Sequence, residues 1–475
     1  MRVLFAASEA MPLVKTGGLA DVVGALPKAL AKKGVDVTVV LPKYGEIPKA
    51  ITDRAITVAV MEVQLGWRRQ YCGIQEVMVD GIRFLLIDNE FYFYRGSLYG
   101  YGDEAERFAF FSFAVLEMLE KFDLLPDLIH CHDWQTGLIP FLLRTRYANR
   151  PGYRDIRTVF TIHNLQYQGV FSRALLQDLL ATGDDSFTQD SLDFYGAGSC
   201  MKAGLRFADK LSTVSLTYSY EIQTEEYGEK LDGVIRQRAH DLWGIVNGID
   251  TEVYDPMNDP FLKFPFLDSL DKKRQNKTAL QSELGLPVDE TIPMIGMVSR
   301  LSGQKGFDLI SEALPALMKE NIQLVILGSG EHNIESMLQH TFMNNRDKMA
   351  VWFGFNEGLA RRFYAASDMY LMPSRFEPCG LSQLIALRYR SVPIVRETGG
   401  LRDTVESYNE YKGSGNGFTF GPATAKDLIY TVRRALSFFD QKEIWARIVA
   451  NGSKKDYGWD SSAQLYYKLY RELVT

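Results

Sequence analysis

The sequence predicts an α/β protein built as two doubly wound, Rossmann-like domains, and three observations predict it. A length of 475 residues exceeds what one hydrophobic core usually serves, so two domains of roughly 200 residues are expected. Short Val- and Ile-rich runs alternate with stretches of helical periodicity, the pattern of buried parallel strands covered by helices on both faces. The octet T-G-G-L-x-D-x-V also occurs twice, from Thr16 and from Thr398, each time after an apolar run and at the start of a helical stretch.

Taken in order, the first half reads as strands at 2–8, 35–42, 127–133, 158–164 and 210–215. The stretch 77–88 differs: Asp80-Gly81 between two apolar runs signals a tight hairpin. The second half repeats the rhythm with strands at 293–300, 323–330, 349–355, 368–375 and 391–397. Asn247-Gly248 breaks the pattern, and a linker bearing Pro256, Pro260 and Pro265 follows. The expected division is therefore 1–247, 248–455, and a last helix within 456–475 packing back on the N-terminal domain. That helix carries apolar residues at Leu465, Tyr466, Leu469 and Leu473, which need a surface to cover.

Composition narrows the function classes. A net charge of −6 gives no electrostatic footprint for nucleic acid or an anionic membrane. Cys72, Cys131, Cys200 and Cys379 are widely spaced without a C-x-x-C, so no disulfide framework or zinc ribbon is expected and a cytoplasmic location is the simple reading. The N-terminal VLFAAS run is too short for a secretory leader and stops at Glu9, and no apolar stretch reaches the ~18 residues of a spanning helix.

In open parallel sheets ligands sit beyond the carboxyl ends of the strands, at helix N-termini. Strand one runs into Ser8, Glu9 and the loop Lys15-Thr16-Gly17-Gly18; glycines admit a ligand to the backbone, and the free amides of a first helical turn favour an anion. Thr398, Gly399 and Gly400 follow strand 391–397 in the same way, so the octet reads as one device used once per domain, beside the alternative of a plain strand-to-helix turn. In SRFEPCGLSQLIALRY (374–389) a helix is expected from Gly380. The amides of Cys379, Gly380, Leu381 and Ser382 would then hold a phosphate, leaving Glu377 beside the group it carries; a local salt bridge within the S-R-x-E quartet 374–377 is the alternative. Arg300 and Lys305, after strand 293–300, suit an oxyanion, although either alone reads equally as a solvated charge. His130 and His132 share one strand face beside Asp133. A metal site is weighed there against hydrogen-bonded histidines, and the second is favoured.

KTGGLADVVGALPKAL, HDWQTGL, FTIHNLQYQG, EYGEKLDGVIRQRA, NGID, SRLSGQKGFDL, SRFEPCGLSQLIALRY and RETGGLRDTV together resemble bacterial glycogen synthases and the similar plant starch synthases, retaining glycosyltransferases. The matching motifs run from Lys15 to Val405. The resemblance implies the B-type glycosyltransferase fold, with the active site in a deep cleft between the domains and closure for turnover. It implies transfer of glucose from ADP-glucose to the non-reducing-end 4-hydroxyl of an α-1,4-glucan (glycogen or starch), with no metal and no cofactor.

Position by position, the resemblance places Lys15, Gly17 and Gly18 at the donor diphosphate and glucose, Asp133 in the cleft, and His163 with Asn164 close to the transferred sugar. Arg300 and Lys305 fall on the diphosphate, Glu377 beside the sugar, and Cys379, Gly380, Leu381 and Ser382 at backbone contacts. Thr398, Gly399 and Gly400 complete the phosphate end, Asn247 belongs to the matching N-G-I-D, and Phe355 stands where the family stacks an aromatic on adenine. Leu216 replaces a common proline, Lys230 a smaller residue, and Arg390 a glycine expected to end its helix in a left-handed turn. Ile385 occupies the position where related families carry a second glutamate, so a two-carboxylate mechanism on that helix is not available. No D-x-D occurs in the sequence, so two cations and helix N-termini take the place of Mg²⁺ at the leaving group. Tyr92, Tyr94, Tyr99 and Tyr101 are read as sugar-binding or as packing residues. A UDP-glucose enzyme of the same fold, one using another acceptor, and an inactive glucan-binding scaffold are the alternatives.

Overall fold

The computed structural model describes residues 1–121 and 125–474. The chain divides into two compact units, Met1–Asn247 with Trp459–Thr475, and Gly248–Gly458.

The first unit is organised by a nine-stranded sheet. Its strands are β1 (Arg2–Ala6), β2 (Asp36–Pro42), β3 (Ile56–Leu65), β4 (Arg68–Val79), β5 (Ile82–Asp88), β6 (Leu128–His132), β7 (Arg157–Ile162), β11 (Lys210–Thr213) and β12 (Leu242–Gly244). Between β7 and β11 the chain makes a small separate sheet of β8 (Val170–Ser172), β9 (Asp193–Phe194) and β10 (Ala197–Ser199). The large sheet runs in the order β12-β11-β7-β6-β1-β2-β5-β4-β3. It is parallel except at β3-β4-β5, where antiparallel pairing closes one edge. The expected hairpin turns at Asp80 and Gly81, with φ of 50° and 77°, the left-handed pair that a two-residue turn requires. β3, most of β4, β12 and the small sheet of β8, β9 and β10 are the parts that sequence reading missed. The register sets β1 between β2 and β6, Phe5 facing Val39 and His130, so the chain leaving β1 lies beside the chain leaving β6.

The second unit carries a six-stranded parallel sheet in the order β15-β14-β13-β16-β17-β18. These strands are β13 (Met294–Val298), β14 (Gln323–Gly328), β15 (Met349–Phe353), β16 (Met369–Met372), β17 (Val392–Arg396) and β18 (Phe418–Phe420). The unbroken apolar run of β14 has a direct cause. Leu324 and Ile326 enter one core with the helix Phe307–Leu317, while Val325 and Leu327 enter another with Phe363. Both faces are covered, so alternation with polar residues has no place.

Two sequence expectations shift. The helix Asp460–Val474 buries Ser462, Ala463, Tyr466, Leu469 and Tyr470, whereas Leu465 is 43% exposed and Leu473 is only partly covered. The stripe is turned because two tyrosines face inward and Ser462 Oγ donates to the Val246 carbonyl at 2.5 Å. The helix after the SRFEPCG stretch begins at Ser382 rather than Gly380. Gly380 sits at φ 71° and Leu381 caps at φ −108°, which keeps 379–381 out of the first turn.

Arg390 stands at φ 63°, the left-handed turn expected where the family has glycine. A side chain there costs on the order of 1 kcal/mol, and Arg390 offsets it by donating from Nε to the Leu267 carbonyl at 3.1 Å and pairing with Asp268 at 2.5 Å. Leu216 opens the helix Leu216–Glu221, the first position where proline is merely tolerated, so its replacement loses little. Arg390→Gly is expected to leave stability within about 1 kcal/mol, strain relieved against anchors lost. Arg390→Val, which keeps the strain and loses the anchors, should cost about 2 kcal/mol in denaturant unfolding. A Val variant as stable as the Gly variant would contradict this.

Candidate active site

In the first unit the informative loops leave β1, β6 and β7. The Glu9 carboxylate, buried after β1, accepts from the Thr16 amide at 2.5 Å, Thr16 Oγ1 at 2.7 Å, the Gly17 amide at 3.2 Å and the Tyr99 hydroxyl at 2.7 Å. This clamp fixes the loop that carries Lys15 and starts the helix Gly18–Ala31 at its N-cap, Gly17. Lys15 Nζ pairs with Asp21 in the first turn of that helix at 2.7 Å. A Cβ on Gly17 would meet nothing within 4 Å, so nothing in the protein itself demands glycine there, and the backbone is left open to a ligand.

Asp133 ends β6 at φ 56° and ψ −178°, a region costly to a side chain and found mostly where function demands it. The strain aims its carboxylate across to β7, where it accepts from the His163 amide at 2.7 Å and the Asn164 amide at 3.4 Å. Burial pushes the Asp133 carboxyl up to about 7; those two amides pull it down, and the Glu9 charge adds to the rise. His163 is buried, and burial holds its imidazole down to about 3, so the ring is neutral. Its Nε2 lies 2.9 Å from His132 Nδ1. Asn164 Oδ1 accepts from the Gln166 amide at 3.0 Å. At the end of the unit, Asn247 Oδ1 is buried without a hydrogen-bond partner among the described residues.

In the second unit Lys305, closing the short turn Gly303–Lys305 after β13, donates to both oxygens of Glu377 at 2.9 and 2.6 Å, and Ser374 Oγ donates to the same carboxylate at 2.9 Å. Arg300, on the same loop, reaches Gln304 Oε1 at 3.2 Å. Cys379 is buried, and Ser382 Oγ accepts from the Tyr364 hydroxyl at 3.1 Å. Phe355, after β15, is 82% exposed.

The two octets, alike in letters, differ in geometry. Gly399 has φ 45°, and a Cβ there would stand 2.0 Å from the Glu377 carbonyl; one on Gly400 would stand 2.0 Å from the Cys379 carbonyl. Those glycines let the chain pass against residues 377–379, and the Gly400 amide donates to the Glu377 carbonyl at 3.1 Å. The helix following Thr398 is Gly399–Thr404, short and started one octet position earlier than the first. The two copies thus differ in what their glycines meet: the first leaves its backbone open, and the second packs against the glutamate loop.

Sequence reasoning missed Glu9 as a clamp, Ser374 as a donor to Glu377, and the pairing of His132 with His163. Glu9 and Ser374 carried no signal beyond lying near a strand end. Of the four tyrosines, Tyr92 is fully buried, Tyr99 serves Glu9, Tyr101 accepts from the Ser97 amide, and Tyr94 is exposed. Ile385 is buried. His130 and His132 are hydrogen-bonded ring to neighbour, and among the described residues no group of three or more His, Cys, Asp or Glu could hold a metal ion. No helix of the described residues is long and apolar enough to cross a membrane.

Two family models match this chain: the starch synthase catalytic domain over residues 2–237 and the glycosyl transferases group 1 over 282–454. The glycogen synthase of Desulforamulus reducens is 53% identical over 475 residues, covering 100% of this chain and 99% of its own. That of Clostridioides difficile is 50% identical, with 100% of both covered. The catalytic domain of starch synthase IV from Arabidopsis thaliana, solved with ADP and acarbose, superposes with a TM-score of 0.93 at 35% identity, covering 100% of this chain and 99% of that one. Sucrose-phosphate synthase of Thermosynechococcus elongatus, at 18% identity and a TM-score of 0.64, shares the fold.

The neutral His163 sets a pH dependence. Its folded value near 3 lies below the ~6.5 of an unfolded histidine, so the stability it contributes is complete above 6.5 and is lost as pH falls toward 3. Asp133 acts in the other sense, its raised value weakening the fold as pH climbs from ~4 toward 7. Denaturant unfolding at about pH 7.5 and about pH 5 should show His163→Gln losing about 2 kcal/mol less than the native chain over that interval. Equal losses would contradict a neutral buried imidazole.

Proposed function

The chain belongs to the glycogen and starch synthase family of glycosyltransferases, and from that premise we propose that it transfers glucose from ADP-glucose to the non-reducing-end 4-hydroxyl of an α-1,4-glucan, with retention of configuration. One observation carries the reading: identity of 50 to 53% to glycogen synthases along the whole chain. ADP as the nucleotide is supported by the ADP held in the plant relative.

The residues divide the work by chemistry. Departure of ADP leaves an oxocarbenium-like sugar and a growing negative charge, so groups that bind that charge act most strongly in the transition state. Arg300 offers a guanidinium fork and Lys305 a point charge to the diphosphate, with the exposed ring of Phe355 as a platform for adenine. Glu377, oriented by Ser374 and Lys305, stabilises the sugar's developing positive charge, and the amides of Cys379, Gly380, Leu381 and Ser382 with the Thr398-Gly399-Gly400 turn bind phosphate and sugar oxygens. In the first unit Lys15, Gly17 and Gly18 form the loop clamped by Glu9 and take donor oxygens. His163 and Asn164, held by Asp133 through their amides, meet the sugar, and the buried Oδ1 of Asn247 accepts from a ligand donor. The departing phosphate oxygen takes the acceptor's proton on the face from which it leaves, which retains configuration. The absence of D-x-D from the sequence leaves leaving-group charge to the two cations.

Donor competition with glycogen as acceptor should favour ADP-glucose, and equal or faster transfer from UDP-glucose would overturn that assignment. Glu377→Ala should lower kcat by about 100-fold while the donor KM changes far less; a defect confined to KM would displace Glu377 from the reacting centre. Transfer should persist after exhaustive EDTA treatment. Loss on chelation with recovery on adding Mg²⁺ would refute the role given to Arg300 and Lys305.

A further inference from the structure

A chain of buried polar contacts in the first unit leads from the C-terminal helix to His163. The Tyr470 hydroxyl lies 2.7 Å from His130 Nδ1, and His130 Nε2 lies 2.5 Å from Thr161 Oγ1, itself 2.5 Å from Ser212 Oγ. The His130 ring lies against that of His132, centroids 4.1 Å apart at 34°, and Phe5 packs on both. His132 Nδ1 is 2.9 Å from His163 Nε2. The other nitrogen of His132, Nε2, is buried with no hydrogen-bond partner among the described residues.

Two neutral rings sharing one hydrogen bond must divide the roles, and the orphaned nitrogen decides how. Were His132 to accept at Nδ1, its proton would sit on Nε2 as a buried N–H with nothing to bond, the rarest kind of unsatisfied group. Donating from Nδ1 leaves only a lone pair uncovered. His163 Nε2 then accepts, and its own proton must occupy Nδ1. Double protonation would remove the choice, but burial holds His130 and His132 well below the ordinary histidine value and His163 near 3.

We propose that His132 is a positioning residue that donates from Nδ1 to His163 Nε2 and so fixes His163 as its Nδ1–H tautomer, able to donate to a substrate oxygen and unable to take a proton from one. The proposal rests on the reading that His163 meets the sugar; it adds that the ring acts as a neutral donor toward a hydroxyl or phosphate oxygen and not as a general base. His130, held by Tyr470, supports the His132 ring from its other face.

The chain has six histidines. His240, His332 and His340 are exposed, so the three buried rings stand apart in a long-range proton–nitrogen NMR spectrum of protein labelled with ¹⁵N-histidine. With assignment through His132→Asn and His163→Gln, the expected result near pH 7.5 is the Nδ1–H tautomer on both His132 and His163. An Nε2–H signature on either ring overturns the proposal whatever the kinetics. In turnover, His132→Leu should lower kcat roughly 10-fold with donor KM within about twofold, the worth of one buried hydrogen bond. His132→Asn, whose amide nitrogen can stand near the place of Nδ1, should recover most of it; a Leu variant with native kcat, or an Asn variant as slow as Leu, counts against positioning. Should His132→Leu fail to fold, the shifts of the native protein and the Asn variant decide. If the native chain transfers no glucose at all, the functional reading fails, while the NMR spectrum still decides the tautomer.

Discussion

The central parallel strands of both large sheets are buried on both faces, and along such strands polar chemistry gathers at the carboxyl ends. There each loop must be held without a neighbouring strand to pair with, and buried carboxylates do that holding. Glu9 takes the amides of Thr16 and Gly17, Asp133 takes that of His163, and Glu377 is gripped by Lys305 and Ser374 while its carbonyl takes the amide of Gly400. A carboxylate accepting backbone amides is a strong, directional anchor. The same groups are thereby fixed where a ligand would arrive.

Burial sets the electrostatic character of the first unit's end of this machinery. It keeps His163 neutral and lifts Asp133 toward 7, so His163 works through hydrogen bonds and not through a fixed charge. In the second unit the cations Arg300 and Lys305 sit on one loop, and Glu377 pairs with Lys305 at 2.6 Å.

The repeated octet shows how one string of letters serves two physical ends. At Gly17 a side chain would meet nothing, and the extended backbone at φ −156° is open to any residue. At Gly399 and Gly400 neighbouring carbonyls leave no room for a side chain. Similar strand-to-helix turns explain the shared letters, and the environment each turn meets explains the different roles.

The central parallel strands and the Asp80-Gly81 hairpin were legible in the sequence, because each follows from local rules of period and turn chemistry, whereas the left-handed turn at Arg390 was expected only from the glycine that the family carries there. Motifs such as SRFEPCGL and T-I-H-N also drew attention to the strand-end loops where Glu377 and His163 are buried and hydrogen-bonded. The edge strand β3, the inward turn of Tyr466 and Tyr470, the Glu9 clamp and the contact between His132 and His163 were not legible. Each joins residues far apart in the chain: His132 and His163 come together only because β6 pairs with β7, and Tyr470 reaches His130 only because the last helix belongs to the first unit. Periodicity reports which residues avoid water, whereas the partner that a buried polar atom finds is decided by register and packing, which only the folded chain supplies.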